Sequence, residues 1–315
     1  MITIKKNKRN KNNIKIIIIA TIASSLFSCI SSYATSRYLY DSKEVRYDNT
    51  STSTLTSATD VQTALDDLYS CASTYELTIG SSTFHNAIFR GKDVTEYLTS
   101  EYSLYDRISD GTFTDLYVGD YVIVNDITWR IAGFDIYYGR GGGDTSTNQA
   151  GYNHHAVIVP DTILTTGKMN TSNTTSGGYA GSYMVKTLLP SVLSTYITPV
   201  FGSHVLTYYD TLTYAVSNGV STLYTNLSRS LDLMNEVQLY GTVVHSSSGN
   251  EVGTDTVQFP LFKLRPEFIV YNRSSSYWLR TIGNASGFIV VWKSSNSDVE
   301  NATSSKGIRP YFYIG

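Results

Sequence analysis

Residues 116–138, LYVGDYVIVNDITWRIAGFDIYY, constrain the fold more than any other stretch of the chain. Apolar side chains recur there at alternate positions, through Tyr121, Ile123, Ile127, Trp129 and Ile131. That period belongs to a strand, because successive side chains of an extended chain point to opposite faces. Asn125-Asp126 interrupts the pattern and suits a two-residue hairpin turn, since both residue types tolerate left-handed backbone. Further along, HHAVIVPD (154–161) reads as a short buried strand closed by Pro160, and GRGGGDTSTNQAGYN (139–153) as a glycine-rich loop. SHVLTYYDTLTYAVS (203–217) reads as a strand followed by irregular structure. The last 41 residues, from SSYWLR to YFYIG, read as two or three short strands with polar turns.

Helical signals lie between these strands. They are KDVTEYLTSEY (92–102), a helix over 183–197 that Pro190 is expected to break or kink, and RSLDLMNEVQLYG (229–241), helix-like or a turn, packed by Leu231, Met234 and Leu239. No repeat of fixed period and no regular strand-helix-strand alternation occurs. The fold class expected is therefore α+β, with antiparallel strands and interspersed helices.

The start of the chain has another character. MITIKKNKRNKNNIK is basic, and the 16–36 run IIIIATIASSLFSCISSYATS carries no charge. A basic flank, an apolar core and a small-residue end make a signal peptide or membrane anchor. Ser32-Tyr33-Ala34 fits cleavage after Ala34, which we rank first. An uncleaved anchor ranks second, because the run could just span a bilayer but turns polar after Ile22. Lipidation at Cys29 ranks third, because bulky Phe27 weakens the Leu26-Phe27-Ser28-Cys29 match to a lipobox. All three place the remainder outside the cytoplasm, at the cell surface or beyond it, with the positive flank inside. Cleavage would leave Cys71 alone, as a buried thiol or an interchain bridge. The net charge of −2 gives no reason to expect nucleic acid.

The clearest helix spans 59–75. Thr59 and Gln62 form a capping box, and Asp60 sits favourably in the first turn. Ala58, Val61, Leu65, Leu68, Ala72 and Tyr75 follow a three-four spacing, a coiled-coil seam of about two heptads. So short a helix needs a partner, either two sister chains or the protein's own body. Val61, Leu65, Leu68, Cys71 and Ala72 are the expected oligomerisation residues, with a homotrimer one outcome. The domain plan is a leader at 1–34, a stalk at 35–75, a connector at 76–115 and a recognition domain at 116–315.

Two resemblances follow from these residues. VRYDNTSTSTLTSATDVQTALDDLY resembles a stalk element of phage tail fibres and of surface proteins of gut Firmicutes, often linked with trimerisation. Tyr47, Asp48, Asn49, Val61, Gln62, Ala64, Leu65 and Leu68 carry the likeness, and Asp60 stands where the familiar element has Asn. Trp278-Leu279-Arg280, followed by Gly307-Ile308-Arg309-Pro310 and an aromatic strand, resembles the ending of a bacterial and phage domain family with C-type-lectin-like folds. GDYVIVNDITWRIAGFD, NHHAVIVPD and TSGGYAGSYM extend that likeness over about 116–315, while Tyr311 replaces the usual small residue after Arg-Pro. Trp278, Leu279, Arg280, Gly307, Arg309 and Pro310 are the motif residues of this likeness. Trp278, Leu279, Phe288, Val290, Ile308, Pro310 and Phe312 are expected to supply an apolar frame, and Arg280 and Arg309 to pin loops through backbone carbonyls. Related variable proteins of diversity-generating retroelements bind ligands through the strand and loop before the last strand. Here that segment, VWKSSNSDVENATSSK, presents Trp292, Lys293, Ser295, Asn296, Asp298, Asn301 and Ser304, and it reads equally well as a solvated turn with Trp292 in the core.

The 26 tyrosines, with abundant Ser, Thr, Asn and Gly, suit a recognition surface as well as they suit a β-rich secreted protein with polar loops. Catalytic patterns are weak. His154 and His155 precede a strand, where adjacent side chains point to opposite faces, so a shared metal site is not expected. Asp144 and Asp161 lie near them only in sequence, and Asp161 reads as a turn residue. GRGGGD lacks the ending of a phosphate loop. Asp66 and Asp67 face solvent on the stalk helix, and no cysteine follows Cys71. The expectation is no enzyme, metal or cofactor. The partner expected is a glycan or a host or bacterial surface protein, with the membrane a further contact if the leader is kept. A tail-fibre receptor-binding protein, a diversified variable protein, an enzyme of the sulfatase-activating or glycan-cleaving type and a structural envelope protein without ligand are the alternatives.

Overall fold

The structure is a computed structural model that describes residues 81–140, 149–247, 257–272 and 275–315. The leader, the stalk helix at 59–75, its oligomerisation seam and Asp144 lie outside the described residues. No helix of the described residues is long and apolar enough to cross a membrane. Gly80–Gly315 form one compact unit. Residues 81–115 of the expected connector are therefore part of the body. They carry α1 (Ser82–His85), a 3₁₀ turn (Thr95–Leu98) and α2 (Leu104–Ser109), and they bury Val94, Leu104, Ile108 and Phe113. Ser103 caps α2 through a capping box with Asp106.

β1 (Tyr121–Val124) and β2 (Ile127–Phe134) form the expected hairpin, with Asn125 and Asp126 both left-handed at φ 53° and 60°. The inward face of β1 differs from the expected one. A two-residue turn pairs Val124 with Ile127, which sets buried Trp129 opposite Val122. Val122 therefore faces the core and Ile123 is exposed. Tyr121, on the other face, receives the Arg130 guanidinium over its ring.

β3 (Ala156–Pro160) is buried throughout, and β4 (Thr165–Gly167) follows it. The helix expected over 183–197 is four consecutive helical pieces, Met184–Leu188, Leu189–Val192, Leu193–Ile197 and Thr198–Phe201, together α3. Pro190 and Pro199 do not end it. Each follows a wide π-type turn and sits in the first two positions of an α turn, where its missing N–H is not required.

β5 (Val205–Leu206) leads into a second hairpin where irregular structure was expected, β6 (Tyr208–Ser217) with β7 (Val220–Arg229). Its turn is Asn218-Gly219, with φ of 51° and 80°. That dipeptide is a strong short-range hairpin signal. β8 (Asp232–Leu233), α4 (Glu236–Tyr240) and α5 (Pro260–Leu264) complete the middle of the chain. Five strands close it, where two or three were expected: β9 (Tyr277–Ile282), β10 (Gly287–Val291), β11 (Ser297–Asn301), β12 (Lys306–Ile308) and β13 (Pro310–Ile314). The polar, charged β11 is at the sheet edge, where one side needs no partner, so its composition masks it in the sequence.

Two main sheets result. One runs β1-β2-β3-β13-β5 with β8 also on β13, and the other runs β11-β10-β9-β12-β4. Pairing is antiparallel except between β12 and β9. The α+β class follows from these mixed helices and mainly antiparallel sheets. Trp129 packs edge-on to Phe201 and Phe312 at 5.5 and 5.7 Å between ring centres. Buried Arg130 and Asp161 are paired, which offsets their desolvation. Arg130 holds Asp161 through Nε at 2.8 Å, so Asp161 is a core ion-pair member rather than a turn residue.

His155 is buried beside β13, with its ring 4.7 Å from that of Tyr313. Its Nε2 accepts the Tyr137 amide and its Nδ1 donates to the Asn153 carbonyl, each at 3.0 Å, which satisfies the neutral ring. Burial pushes its pKa down from 6.5 to about 4. Below pH 6.5 the unfolded chain takes up a proton that the folded chain refuses until about pH 4. Stability therefore falls with pH across this window, by about 2 kcal/mol at pH 5. Urea unfolding at pH 7 and pH 5 should show this loss, and His155→Gln should remove it. An equal loss in the variant would assign the pH dependence to other groups.

Candidate functional site

The polar segment 292–305, expected as one loop, is a turn, strand β11 and a second turn. β11 pairs with β10 from Val291↔Ser297 to Gly287↔Asn301. The first turn closes when the Trp292 amide donates to the Asn296 carbonyl at 2.8 Å and the Ser295 amide to the Trp292 carbonyl at 2.9 Å. Ser295 is left-handed, with φ 66°, the conformation a three-residue hairpin loop needs after its type I turn.

This turn borders a recess of about 480 Å³. Tyr240, Val244 and His245 form one side, and Trp292 with residues 294–298 the other. The structure thus brings Trp292, Ser295, Asn296 and Asp298 together. Lys293 is exposed on the turn and does not line the recess. Asn301 and Ser304 lie at the opposite end of β11. The Asn301 carboxamide accepts the Thr303 amide at 3.0 Å, and the Ser304 hydroxyl donates to Glu300 at 2.9 Å. Both serve the second turn.

Trp292 is 36 % exposed. Lys306 Nζ sits 4.5 Å from its ring centre and 2.7 Å from Glu300 Oε2. Burial alone would raise the Glu300 pKa, but Lys306, Ser304 and the Asn301 amide outweigh it and hold the carboxylate below its ordinary range. The indole is therefore braced by a cation that does not itself line the recess.

The other wall hangs on Glu236, which the sequence reading did not single out. Asn235 caps α4, and Gln238 returns the bond in a capping box that orients the first turn. The buried Glu236 carboxylate accepts the amides of Val244, His245 and Ser246 at 3.1, 3.0 and 3.2 Å. It also accepts the Ser297 hydroxyl at 3.2 Å, which ties the 244–246 segment to the start of β11. One helical turn on, the Tyr240 hydroxyl donates to the Ser295 carbonyl at 3.0 Å. The Asn-x-x-Gln capping signal is legible in the sequence. The partners of Glu236 and Tyr240 near residue 296 are not, because some 60 residues separate them.

The frame residues sit behind this site. Trp278, Leu279 and Arg280 occupy β9, next to β10. Trp278 Nε1 donates to the Gly167 carbonyl at 2.8 Å. Arg280 pairs with the buried carboxylate of Asp210, a partner the sequence reading had not named. Its side chain thereby anchors the base of the β6–β7 hairpin. Arg309 bonds carbonyls as expected, those of Pro160 at 2.8 Å and Ile269 at 3.3 Å. Gly307 has no room for a side chain, since a Cβ there would lie 2.5 Å from Ile163. Pro310 opens β13, where it pairs with Leu233, and Tyr311 is buried against Phe259.

The histidines serve the fold elsewhere. His154 Nδ1 lies 2.8 Å from Asp135 and its ring stacks on Tyr138 at 4.4 Å. Among the described residues, no three His, Cys, Asp or Glu side chains are grouped to hold a metal ion.

Glu236→Ala should cost roughly 2–3 kcal/mol, because it removes a charged acceptor from several donors at once. Hydrogen exchange at Val244, His245 and Ser246 should quicken more than elsewhere. Unchanged exchange at those amides would show that another contact holds the segment. No family model matches this chain, and neither a curated protein nor a solved structure does.

Proposed function

We propose that this chain is an exported cell-surface recognition protein whose C-type-lectin-like domain binds a glycan or a protein ligand through its C-terminal hairpin. The single observation that carries the reading is the recess beside Trp292. There a large aromatic ring stands half exposed among polar side chains, on a hairpin anchored to a packed sheet. Rigid scaffolds that present adaptable polar groups and an aromatic anchor are how recognition sites are commonly built. The basic and apolar start supports export, as signal peptide or anchor, and the stalk likeness supports a short helical module that displays the domain, as a homotrimer through Val61, Leu65 and Leu68. The WLR and GIRP elements support the C-type-lectin-like assignment. The mode of action is binding, without turnover.

The test is to probe the full chain against an array of glycans and host surface proteins, with Trp292→Ala beside it. A saturable ligand should appear, and truncation of the indole should weaken it at least tenfold, as for a central aromatic anchor. Binding that survives intact in a folded Trp292→Ala protein would move the site away from this hairpin.

A further inference from the structure

The recess also says which kind of ligand it suits. Asn296 makes no side-chain hydrogen bond among the described residues, and neither does the imidazole of His245 or the hydroxyl of Ser294. Asp298 uses Oδ1 to accept the Val299 amide at 2.7 Å, and among the described residues its Oδ2 meets no donor. All four residues line the recess with Trp292. Its other polar groups are already engaged: the Ser297 hydroxyl by Glu236, and the Tyr240 hydroxyl by the Ser295 carbonyl. A ligand therefore meets one indole bordered by an amide, an imidazole, a hydroxyl and one carboxylate oxygen. That set includes both donors and acceptors.

An apolar protein anchor fits this poorly. It would fill the recess and strand these groups without water, at about 1–3 kcal/mol for each one fully buried. Val244, Trp292 and the ring of Tyr240 would give it apolar contact, but the polar groups set between them would still lose their water. An anionic ligand fits no better. The one carboxylate of the lining repels it, and no lysine or arginine lines the recess to offset that. Lys306 is committed to Glu300 and to the indole. A neutral sugar suits both features at once. Its C–H face is apolar and flat enough to lie on an indole, as bases stack on aromatic side chains in nucleic-acid grooves. Its hydroxyls both donate and accept, so each can replace a water at Asn296, His245, Ser294 or Asp298.

Resting on the recognition reading above, we infer that the ligand is an uncharged carbohydrate. One sugar residue lies against Trp292, with neighbouring hydroxyls bonded to Asn296 and Asp298.

The chain carries its own reporter for this. It has three tryptophans, and Trp129 and Trp278 are fully buried, so Trp292 dominates the fluorescence that a collisional quencher can reach. Acrylamide quenching of the full-length protein would be measured with methyl glucoside, methyl galactoside, methyl mannoside, N-acetylglucosamine and short oligomers of each. N-acetylneuraminic acid and glucuronic acid serve as anionic comparators. At least one neutral sugar should protect the indole saturably. Asn296→Ala and Asp298→Ala should each weaken that sugar about tenfold, equivalent to 1.4 kcal/mol, with unfolding midpoints unchanged. Stronger protection by an anionic sugar would overturn the inference, as would protection by none. If no sugar protects but a protein on the array is lost by Trp292→Ala, the carbohydrate assignment fails and the recognition reading stands. If Trp292→Ala alters no binding at all, both fail together.

Discussion

Between Ile308 and Pro310 the chain passes from one sheet to the other, and Arg309 is the residue at the crossing. Its guanidinium is fully buried, over the rings of Phe262 and Tyr277. It bonds the carbonyl at the end of β3 and another in the 3₁₀ turn Pro266–Ile269. A buried cation survives only if the structure supplies acceptors, so this side chain fixes where both carbonyls sit. On one side of the crossing, β12 carries Lys306 to the Trp292 indole. On the other, β13 enters the first sheet between β3 and β5. The geometry of the recess and the packing of the core share this one junction.

A second line of support reaches the recess from behind. The Arg280 amide donates to the Met234 carbonyl at 3.0 Å, which places the entry to α4 against β9. Asn235 then starts the helix, Glu236 gathers the 244–246 amides and Ser297, and Tyr240 holds the carbonyl of Ser295. Every step is a hydrogen bond between buried or half-buried groups. The polar wall is therefore held by the scaffold while its free groups, Asn296 and Asp298 among them, stay available. Such preorganisation lowers the ordering cost of binding.

Local features were the legible ones. The Asn125-Asp126 turn and the buried strand at 156–160 each depend on a few adjacent residues, and each formed where expected; the Asn235–Gln238 capping box rests on as few, although the segment had read only as helix-like or a turn. Asn218-Gly219 carried the same kind of signal, yet the hairpin it closes went unread because β7 is largely polar and exposed. Pro190 was expected to break or kink its helix, which runs on past it in alternating α and π-type pieces. Its effect depends on the hydrogen-bond pattern of the preceding turn, which is a packing outcome. In the candidate site, Trp292, Ser295, Asn296 and Asp298 were legible as a polar turn with one aromatic. Lys293, Asn301 and Ser304 were grouped with them because proximity in sequence stood in for proximity in space.

The sequence by itself determined the strand period around Trp129, the turn dipeptides, the helix caps and the α+β class, because each rests on contacts within a few residues. Tertiary structure alone decided that Glu236 and Tyr240 would wall a recess with Asn296, that Arg280 would meet Asp210, and that Arg309 would bind the carbonyl of Pro160. The last two pairs are separated by 70 and 149 residues. Such partners are chosen by where burial brings backbone and charge together, and no local pattern encodes the choice.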